Sequence, residues 1–267
     1  FYKILDVMKE RAGIQSVEVG FALLQVLAKS DGALMLRDLA ASAGMSAAKA
    51  HRYLVSFQRL GLVHQDDAST RYDLGPGALQ LGLAALSRLD PVKLARARMA
   101  QLMAEIGHTV ALAVWGNQGP TIVHWQESPH AMTILRLGDV MPLLTSATGR
   151  CFAAFMPHDL IAPMLKAELT RLQKIKHHDV PTTLSQANAM LDEVRLRGLA
   201  RVTDALLPGV AGFSAPVFDS DGHLALAMVS LGPTSSFDAS WGGSPAKALR
   251  RAAQQLSAEL GHSHTDT

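Results

Sequence analysis

The sequence has a single cysteine, Cys151, in 267 residues. One thiol cannot form a disulfide within the chain, and this absence favours a reducing compartment. No apolar run approaches the roughly 20 residues that a membrane-spanning helix needs. The first stretch, residues 1–13, is too short and too interrupted by charge for a signal peptide. We therefore expect a cytoplasmic protein with no membrane partner.

Charged residues are also scarce, at 18% of the chain, whereas 48% of the residues are hydrophobic. This balance is typical of a folded globular protein rather than a disordered one. The formal net charge is only +2. Residues 1–89 hold 10 Lys and Arg against 8 Asp and Glu, and the remainder holds 15 of each. The excess in the first third permits nucleic-acid binding without requiring it.

Apolar spacing in the first third predicts three short helices, at residues 17–30, 34–44 and 46–60. Ser46 is a plausible N-cap of the third helix. Residues 61–75 alternate strand, polar turn and strand, which predicts a β-hairpin. This order is that of a winged helix-turn-helix domain, expected over residues 1–75. A further helix over residues 76–89 is expected to be a linker.

A different pattern follows the Asp-Pro pair at residues 90–91. Helices are predicted at 91–107, 183–198 and 245–260, and residues 145–156 turn into a helix that begins near Gly149; strand-like runs lie at 109–116, 120–128, 131–139, 199–206 and 212–232. Hairpins interleaved with helices are typical of an α+β domain with an antiparallel sheet. We expect this sensor-like domain over residues 90–267.

The third helix has a polar face opposite its apolar stripe. Lysine, arginine and serine on such a face are residue types that reach phosphates and base edges. The candidate DNA contacts are Ser46, Ala47, Lys49, His51, Arg52, Ser56 and Arg59. The alternative is a merely solvated face, but the following hairpin favours binding to double-stranded DNA. Asp66 and Asp67 would repel phosphates, so the hairpin tip is not expected to be a tight contact.

Four segments, taken in order, resemble the IclR family of bacterial transcriptional regulators: residues 36–63, 71–82, 142–155 and 209–233. The resemblance extends from about Ser16 to Leu260. It implies a winged helix-turn-helix domain, a linker helix and an effector-binding domain related to GAF and PAS folds. It also implies operator binding as a homodimer or homotetramer, modulated by a small metabolite. Leu79, Leu83 and Leu86 of the linker helix are expected to contribute to the dimer contact.

The third helix departs from the family pattern at its start. Ala48 and Lys49 stand where the family usually has hydroxyl residues, which leaves the operator sequence open. His51 and Arg52 match the family's His-Arg pair. His51 has two interpretations, a direct phosphate contact or a partly buried residue that holds the turn.

The resemblance places the effector's carboxylate at the start of a helix near Gly149. Free N–H groups and the helix dipole favour an anion there, and glycine lets a ligand approach closely. The role is carried to Thr148, Gly149 and Arg150, the last two through their backbone, with the Arg150 side chain pointing outward. The alternative is an ordinary helix cap facing solvent.

Some relatives that bind very small polar acids have polar pocket residues where this chain has Val202, Gly212, Val229 and Leu231. An apolar lining favours an aromatic or hydrophobic acid, because a buried polar group without a partner costs on the order of 1–3 kcal/mol. Asp204 is a further candidate effector contact. Two alternatives remain, a closed core filled by these side chains, or an alignment one residue out of register.

Cys151 supports the rival hypothesis, a cytoplasmic enzyme with a nucleophile activated at a helix N-terminus. Its apolar surroundings favour a buried structural thiol instead, so no catalytic residue and no cofactor is expected. The histidines, including His177, His178 and those at 262–264, lack a closed set of metal ligands. Tryptophans 115, 125 and 241 are expected in the core or an interface, with a pocket wall as the alternative.

Overall fold

The computed structural model describes residues 13–86, 88–128, 135–173 and 179–263. His177, His178, His264 and the side chain of Leu86 lie outside the described residues. The same holds for residues 131–134 of one predicted strand, whose remainder, 135–139, contains a turn instead. In the described part of the chain, no helix has the length and apolarity that spanning a bilayer requires.

The chain forms two compact units, which divide between Arg88 and Leu89. The first unit has three helices, a two-stranded antiparallel sheet and a fourth helix. They are α1 (Gln15–Lys29), α2 (Leu36–Ser42), α3 (Ala47–Arg59), β1 (Val63–Gln65), β2 (Tyr72–Leu74) and α4 (Pro76–Leu86). This is the element order that the apolar spacing predicts.

The core of the first unit is small and is formed by α1, α2, α3 and the hairpin. Leu23 of α1, Leu39 of α2, Leu54 of α3 and Tyr72 of β2 are all buried in it. Gly44 has a φ of +65°, a conformation that glycine adopts without strain, and it ends α2 so that the chain can turn into α3.

In its described residues, the second unit contains five helices and five strands. They are α5 (Pro91–Ile106), β3 (Thr109–Gly116), β4 (Gly119–Gln126), α6 (Ala147–Phe155), α7 (His158–Leu172), α8 (Leu184–Arg197), β5 (Ala200–Thr203), β6 (Val210–Phe218), β7 (Leu224–Pro233) and α9 (Ser244–Glu259). Helix α7 is absent from the sequence-based prediction, because Pro163 interrupts its helical pattern.

The five strands of the second unit form one antiparallel sheet in the order β4-β3-β7-β6-β5. Helices α5 and α9 cover one face, and α6, α7 and α8 cover the other. Side chains of the central strands alternate between the two cores, as the pleat requires. Phe213 and Met228 point towards α5 and α9, whereas Val229 and Leu231 point towards α6.

Helix α6 lies directly against the segment that precedes it, and a glycine makes this contact possible. A Cβ atom on Gly149 would overlap the carbonyl oxygen of Pro142 and would lie 2.6 Å from Leu143 Cα. Both neighbours are backbone atoms, so neither moves aside easily. Gly149 therefore serves the packing of α6 rather than the close approach of a ligand, which corrects the expectation from the sequence.

We expect Gly149→Ala to destabilise the second unit by about 3 kcal/mol, the upper end of the usual range for overpacking. All three tryptophans lie in this unit, so urea unfolding followed by tryptophan fluorescence reports on it. Gly242→Ala is the matched control, because a Cβ there would have nothing within 4 Å. An unchanged unfolding midpoint in Gly149→Ala would contradict the packing described.

Candidate DNA-binding and effector sites

Helix α3 is amphipathic, and its polar side faces solvent. Ala50 and Leu54 are fully buried in the core of the first unit. The predicted DNA contacts are all exposed: Ser46, Ala47, Lys49, His51, Arg52, Ser56 and Arg59. The exposure of His51 removes the basis for a partly buried residue that holds the turn.

Local hydrogen bonds engage two of these side chains. Ser46 is the N-cap of α3, and its Oγ accepts a hydrogen bond from the Lys49 N–H at 3.4 Å. The Ser56 hydroxyl donates to the Arg52 carbonyl at 3.3 Å. Among the described residues, no carboxylate pairs with Lys49, Arg52 or Arg59. The three cations are therefore available to an anionic partner.

The tip of the hairpin carries a carboxylate held by its own turn. Asp66 Oδ1 accepts hydrogen bonds from the N–H and the hydroxyl of Ser69, both at 2.7 Å. These bonds lower the pKa of Asp66. The tip is therefore anionic at neutral pH and unsuited to a close phosphate contact.

The second unit contains a cavity between α6 and the sheet, with about 470 Å³ of space free of protein atoms, part of it open to solvent. The sheet and its loops supply an apolar wall: Ile122, Trp125, Leu135, Met141, Val202, Leu206, Leu207, Val210, Ala211, Gly212, Val229 and Leu231. The start of α6 supplies the rest: Ser146, Ala147 and Thr148.

The four sequence-predicted lining residues lie together on this wall. Val202 pairs with Gly212 across β5 and β6, and Gly212 pairs with Leu231 across β6 and β7. Val229 lies two residues before Leu231, so its side chain points to the same face. The four residues therefore share the face of the sheet that lines the cavity.

Gly212 has a structural role as well as its place in the wall. A Cβ atom there would lie 2.9 Å from the Ser230 carbonyl oxygen and 3.2 Å from Leu231 Cβ. Substitution of Gly212 would therefore disturb the pairing of β6 with β7. Variants at Val229 or Thr148 test the cavity more cleanly.

In the first turn of α6, some N–H groups are hydrogen-bonded and others, within the described residues, are not. The unbonded groups belong to residues other than the Gly149 and Arg150 that the sequence analysis predicts. Ser146 is the N-cap, with its Oγ accepting from the Gly149 N–H at 2.8 Å, and its carbonyl accepts from the Arg150 N–H at 3.0 Å. The Gly149 and Arg150 N–H groups are therefore already engaged. Within the described residues, the N–H groups of Ala147 and Thr148 and the Thr148 hydroxyl have no partner.

The Arg150 side chain points inward, which corrects the expectation that it faces solvent. Only 2% of the residue is exposed. Nε donates to the Leu144 carbonyl at 2.8 Å, and Nη1 donates to the Arg201 carbonyl at 2.6 Å. Nη1 also donates to the Asp179 carboxylate at 3.0 Å, forming an ion pair, and Nη2 donates to the Asp179 backbone carbonyl. Burial lowers the pKa of Arg150, and the charge of Asp179 opposes this effect.

Two carboxylates, Glu168 and the same Asp179, hold the backbone around the cavity. No sequence pattern predicts either of them. Glu168 of α7 accepts hydrogen bonds from the Leu143 and Leu144 N–H groups, at 2.7 and 3.0 Å. Asp179 accepts from the Thr203 N–H at 2.9 Å through its second oxygen. The segment before α6 and the strand β5 are thus fixed by buried or half-buried charges.

Asp204, a predicted effector contact, lies outside the lining of the cavity. Its φ is +57°, and its Oδ1 accepts a hydrogen bond from the Gly209 N–H at 2.7 Å. It closes the turn between β5 and β6, whose Leu206 and Leu207 do line the cavity. Asp204 therefore stabilises the turn that carries two lining residues, without lining the cavity itself.

The Cys151 thiol is fully buried, and burial raises its pKa to about 12. At neutral pH it is protonated and out of reach of a substrate, so it lacks the thiolate that a nucleophile needs. Of the tryptophans, Trp125 lines the cavity, Trp115 packs on Phe152, and Trp241 packs on Phe213.

Asp219, Asp221 and His223 are the one grouping among the described residues with metal-ligating side chains close together. Asp219 Oδ1 accepts hydrogen bonds from the N–H groups of Asp221 and His223, both at 2.9 Å. Both hydrogen bonds close the turn between β6 and β7, which explains why the three side chains lie close together.

Comparison with known proteins identifies both units. The IclR helix-turn-helix domain model matches residues 16–67, and the bacterial transcriptional regulator IclR C-terminal model matches residues 83–258. The chain is 32% identical over 210 residues to the glycerol operon regulatory protein of Streptomyces coelicolor, covering 77% of this chain and 80% of that protein. It is 28% identical over 264 residues to the DNA-binding transcriptional repressor YiaJ of Escherichia coli K12, covering 97% and 92%.

The solved structures agree. The crystal structure of Pseudomonas aeruginosa HmgR matches with a TM-score of 0.87 and 37% identity, over 94% of this chain and all of that one. The Agobacterium tumefaciens repressor BlcR, at 22% identity and a TM-score of 0.77 over 94% of this chain and 98% of that one, shares the fold. The chain therefore belongs to the IclR family of bacterial transcriptional regulators, with a helix-turn-helix DNA-binding domain.

Proposed function

We propose that this regulator binds operator DNA through α3 and that a small hydrophobic acid in the cavity modulates this binding. The proposal is supported by the position of Ser146, Ala147 and Thr148, the first turn of α6, in the lining of an otherwise apolar cavity. Within the described residues, the N–H groups of Ala147 and Thr148 and the Thr148 hydroxyl have no partner, and we assign them to the carboxylate of the acid. The dipole of α6 favours an anion at the same turn.

The charge of the lining limits the charge of the ligand. None of the lining residues has an ionisable side chain, and the nearby Arg150 is already paired with Asp179. One carboxylate is therefore accommodated by the first turn of α6, whereas a second would be buried without a partner. The proposed effector is a monocarboxylate.

The apolar wall favours an apolar group for the part of the ligand beyond its carboxylate. Val202, Val229 and Leu231 offer only aliphatic groups, and Trp125 offers an indole ring. Aromatic pairs add about 0.5–1.5 kcal/mol beyond the area that they bury. We therefore propose an aromatic monocarboxylic acid, held by its carboxylate on the first turn of α6 and by its ring against Trp125.

We also propose that the chain has no enzymatic activity and acts in the cytoplasm, where operator DNA is found. The rival enzyme hypothesis needs a Cys151 thiolate, and a pKa of about 12 leaves almost none at neutral pH. Catalytic turnover that disappears in Cys151→Ala would favour the rival.

A second copy of the chain is the proposed partner in assembly. Leu79, Leu81 and Leu83 of α4 are exposed, as are Val17 and Phe21 of α1. Apolar side chains in such number on two helices are typical of a protein interface. A dimer would also supply two copies of α3 for two half-sites about 34 Å apart.

The effector proposal predicts a ranking of matched ligands. We expect phenylacetate to stabilise the protein in a thermal-shift titration more than cyclohexylacetate, and far more than phenylacetamide, which has no carboxylate. Thr148→Val should weaken phenylacetate binding about ten- to a hundredfold, since one hydrogen bond to a charged group is lost. Thr145→Val is the matched control, because Thr145 lies outside this cavity. A preference for a two-carbon acid, or equal binding of the amide, would refute the proposal.

The DNA proposal predicts that Arg52→Ala and Lys49→Ala weaken operator binding. A lost phosphate contact reduces the slope of affinity against salt by about 1, whereas a lost base contact costs about 1–3 kcal/mol at one position. Fluorescence anisotropy at several salt concentrations distinguishes the two. Lys29→Ala removes one exposed charge from α1 and is the control. If both α3 variants bind as the parent does, α3 is not the DNA-binding helix.

The assembly proposal predicts a dimer or tetramer in solution. Leu79 and Leu83 are four residues apart and share one face of α4, so Leu79→Glu with Leu83→Glu should reduce assembly and operator affinity together. Gln80→Glu adds one negative charge, half of that added by the double variant, at a neighbouring exposed position and should leave both unchanged. Light scattering at micromolar concentration measures the mass. A monomeric parent, with and without DNA, is the contradicting outcome.

A further inference from the structure

The side of α3 that faces away from the core carries two apolar side chains between its cations. A helix turns about 100° per residue, so Ala48, Arg52, Val55 and Arg59 follow one line along the helix. This line, here called the outer ridge, lies opposite Ala50 and Leu54, which are fully buried. Ala48, Arg52 and Arg59 are exposed, and Val55 is half-buried.

The two apolar residues of the outer ridge are not among the described residues that form the core of the first unit. From α3, the residues that pack against the core of the first unit are Ala50, Leu54, Tyr53 and Phe57. Val55 points away from all four, since it lies about 100° or more around the helix from each of them. A valine and an alanine on the outward side of a DNA-binding helix therefore have an external partner available to them.

The major groove of DNA offers one apolar group at its base edges, the C5-methyl of thymine. We infer that Ala48 and Val55 each contact a thymine methyl, on either side of the base that Arg52 contacts. This inference rests on the proposed placement of α3 in the major groove. It gives the chain a half-site in which an arginine-contacted base, guanine by preference, is flanked by thymines.

The spacing of the outer ridge suits this arrangement. Along the helix axis, Ala48 is about 6 Å from Arg52, and Val55 is about 4.5 Å from it. Successive base pairs are about 3.4 Å apart, so the three side chains face bases within one or two steps of each other. Ser56, beside the ridge, already donates its hydroxyl to the Arg52 carbonyl, so its hydroxyl is less available to a base than the side chains of the ridge.

The test begins with selection of binding sites from a random duplex pool by the full chain. The selected site is then synthesised with single uracils in place of thymines, which removes only the C5-methyl. We expect two positions in each half-site at which uracil weakens binding about three- to fivefold, the effect of one buried methyl group. Uracil in the flanking DNA is the control and should have no effect.

The matched protein variants assign each methyl. Val55→Ala should abolish the uracil effect at one of the two positions, and Ala48→Gly should abolish it at the other. Ala41→Gly, at an exposed position of α2, makes the same change in helix propensity and should leave both uracil effects intact. Circular dichroism verifies that each variant is folded.

Two results would overturn the inference. Selection of a specific site with no uracil effect, or with effects that persist in both variants, would show that Ala48 and Val55 only allow close approach of the helix. DNA binding by α3 would survive that result. Failure to enrich any site, with Arg52→Ala indistinguishable from the parent, would refute both the inference and the proposed function.

Discussion

The buried guanidinium of Arg150 is the interaction on which the shape of the second unit depends. It holds the Leu144 carbonyl before α6, the Asp179 segment and the Arg201 carbonyl of β5 in one network. A charge placed in such surroundings costs several kcal/mol unless it is paired and fully hydrogen-bonded. Removal of Asp179 would leave that charge uncompensated, so the network is stable only as a whole.

Glu168 supports the same segment from the opposite side. Its two carboxylate oxygens accept the Leu143 and Leu144 N–H groups, so the chain before α6 is fixed through both its donors and its acceptors. The first turn of α6 therefore has a defined position relative to the sheet. A helix N-terminus can favour an anion at one place only if it is held in this way.

The sequence predicts the parts of this molecule that depend on local periodicity. The three helices and the hairpin of the first unit follow from apolar spacing. The prediction of Val202, Gly212, Val229 and Leu231 as lining residues rests instead on the resemblance to the IclR family, and strand pairing places them on one face. Arg150 could not be placed, because its burial depends on Asp179, 29 residues away. The free N–H groups were assigned to the wrong residues because α6 begins at Ala147, and a shift of two residues changes which donors the cap engages.

The residues that fix the cavity and those that line it are different sets. Arg150, Glu168 and Asp179 hold the backbone, whereas Val202, Val229 and Leu231 present side chains to the interior. Replacement of a lining side chain by one of similar volume leaves the polar supports untouched. Under the proposed function, effector preference can therefore change by single substitutions within one unaltered framework, without any change of fold.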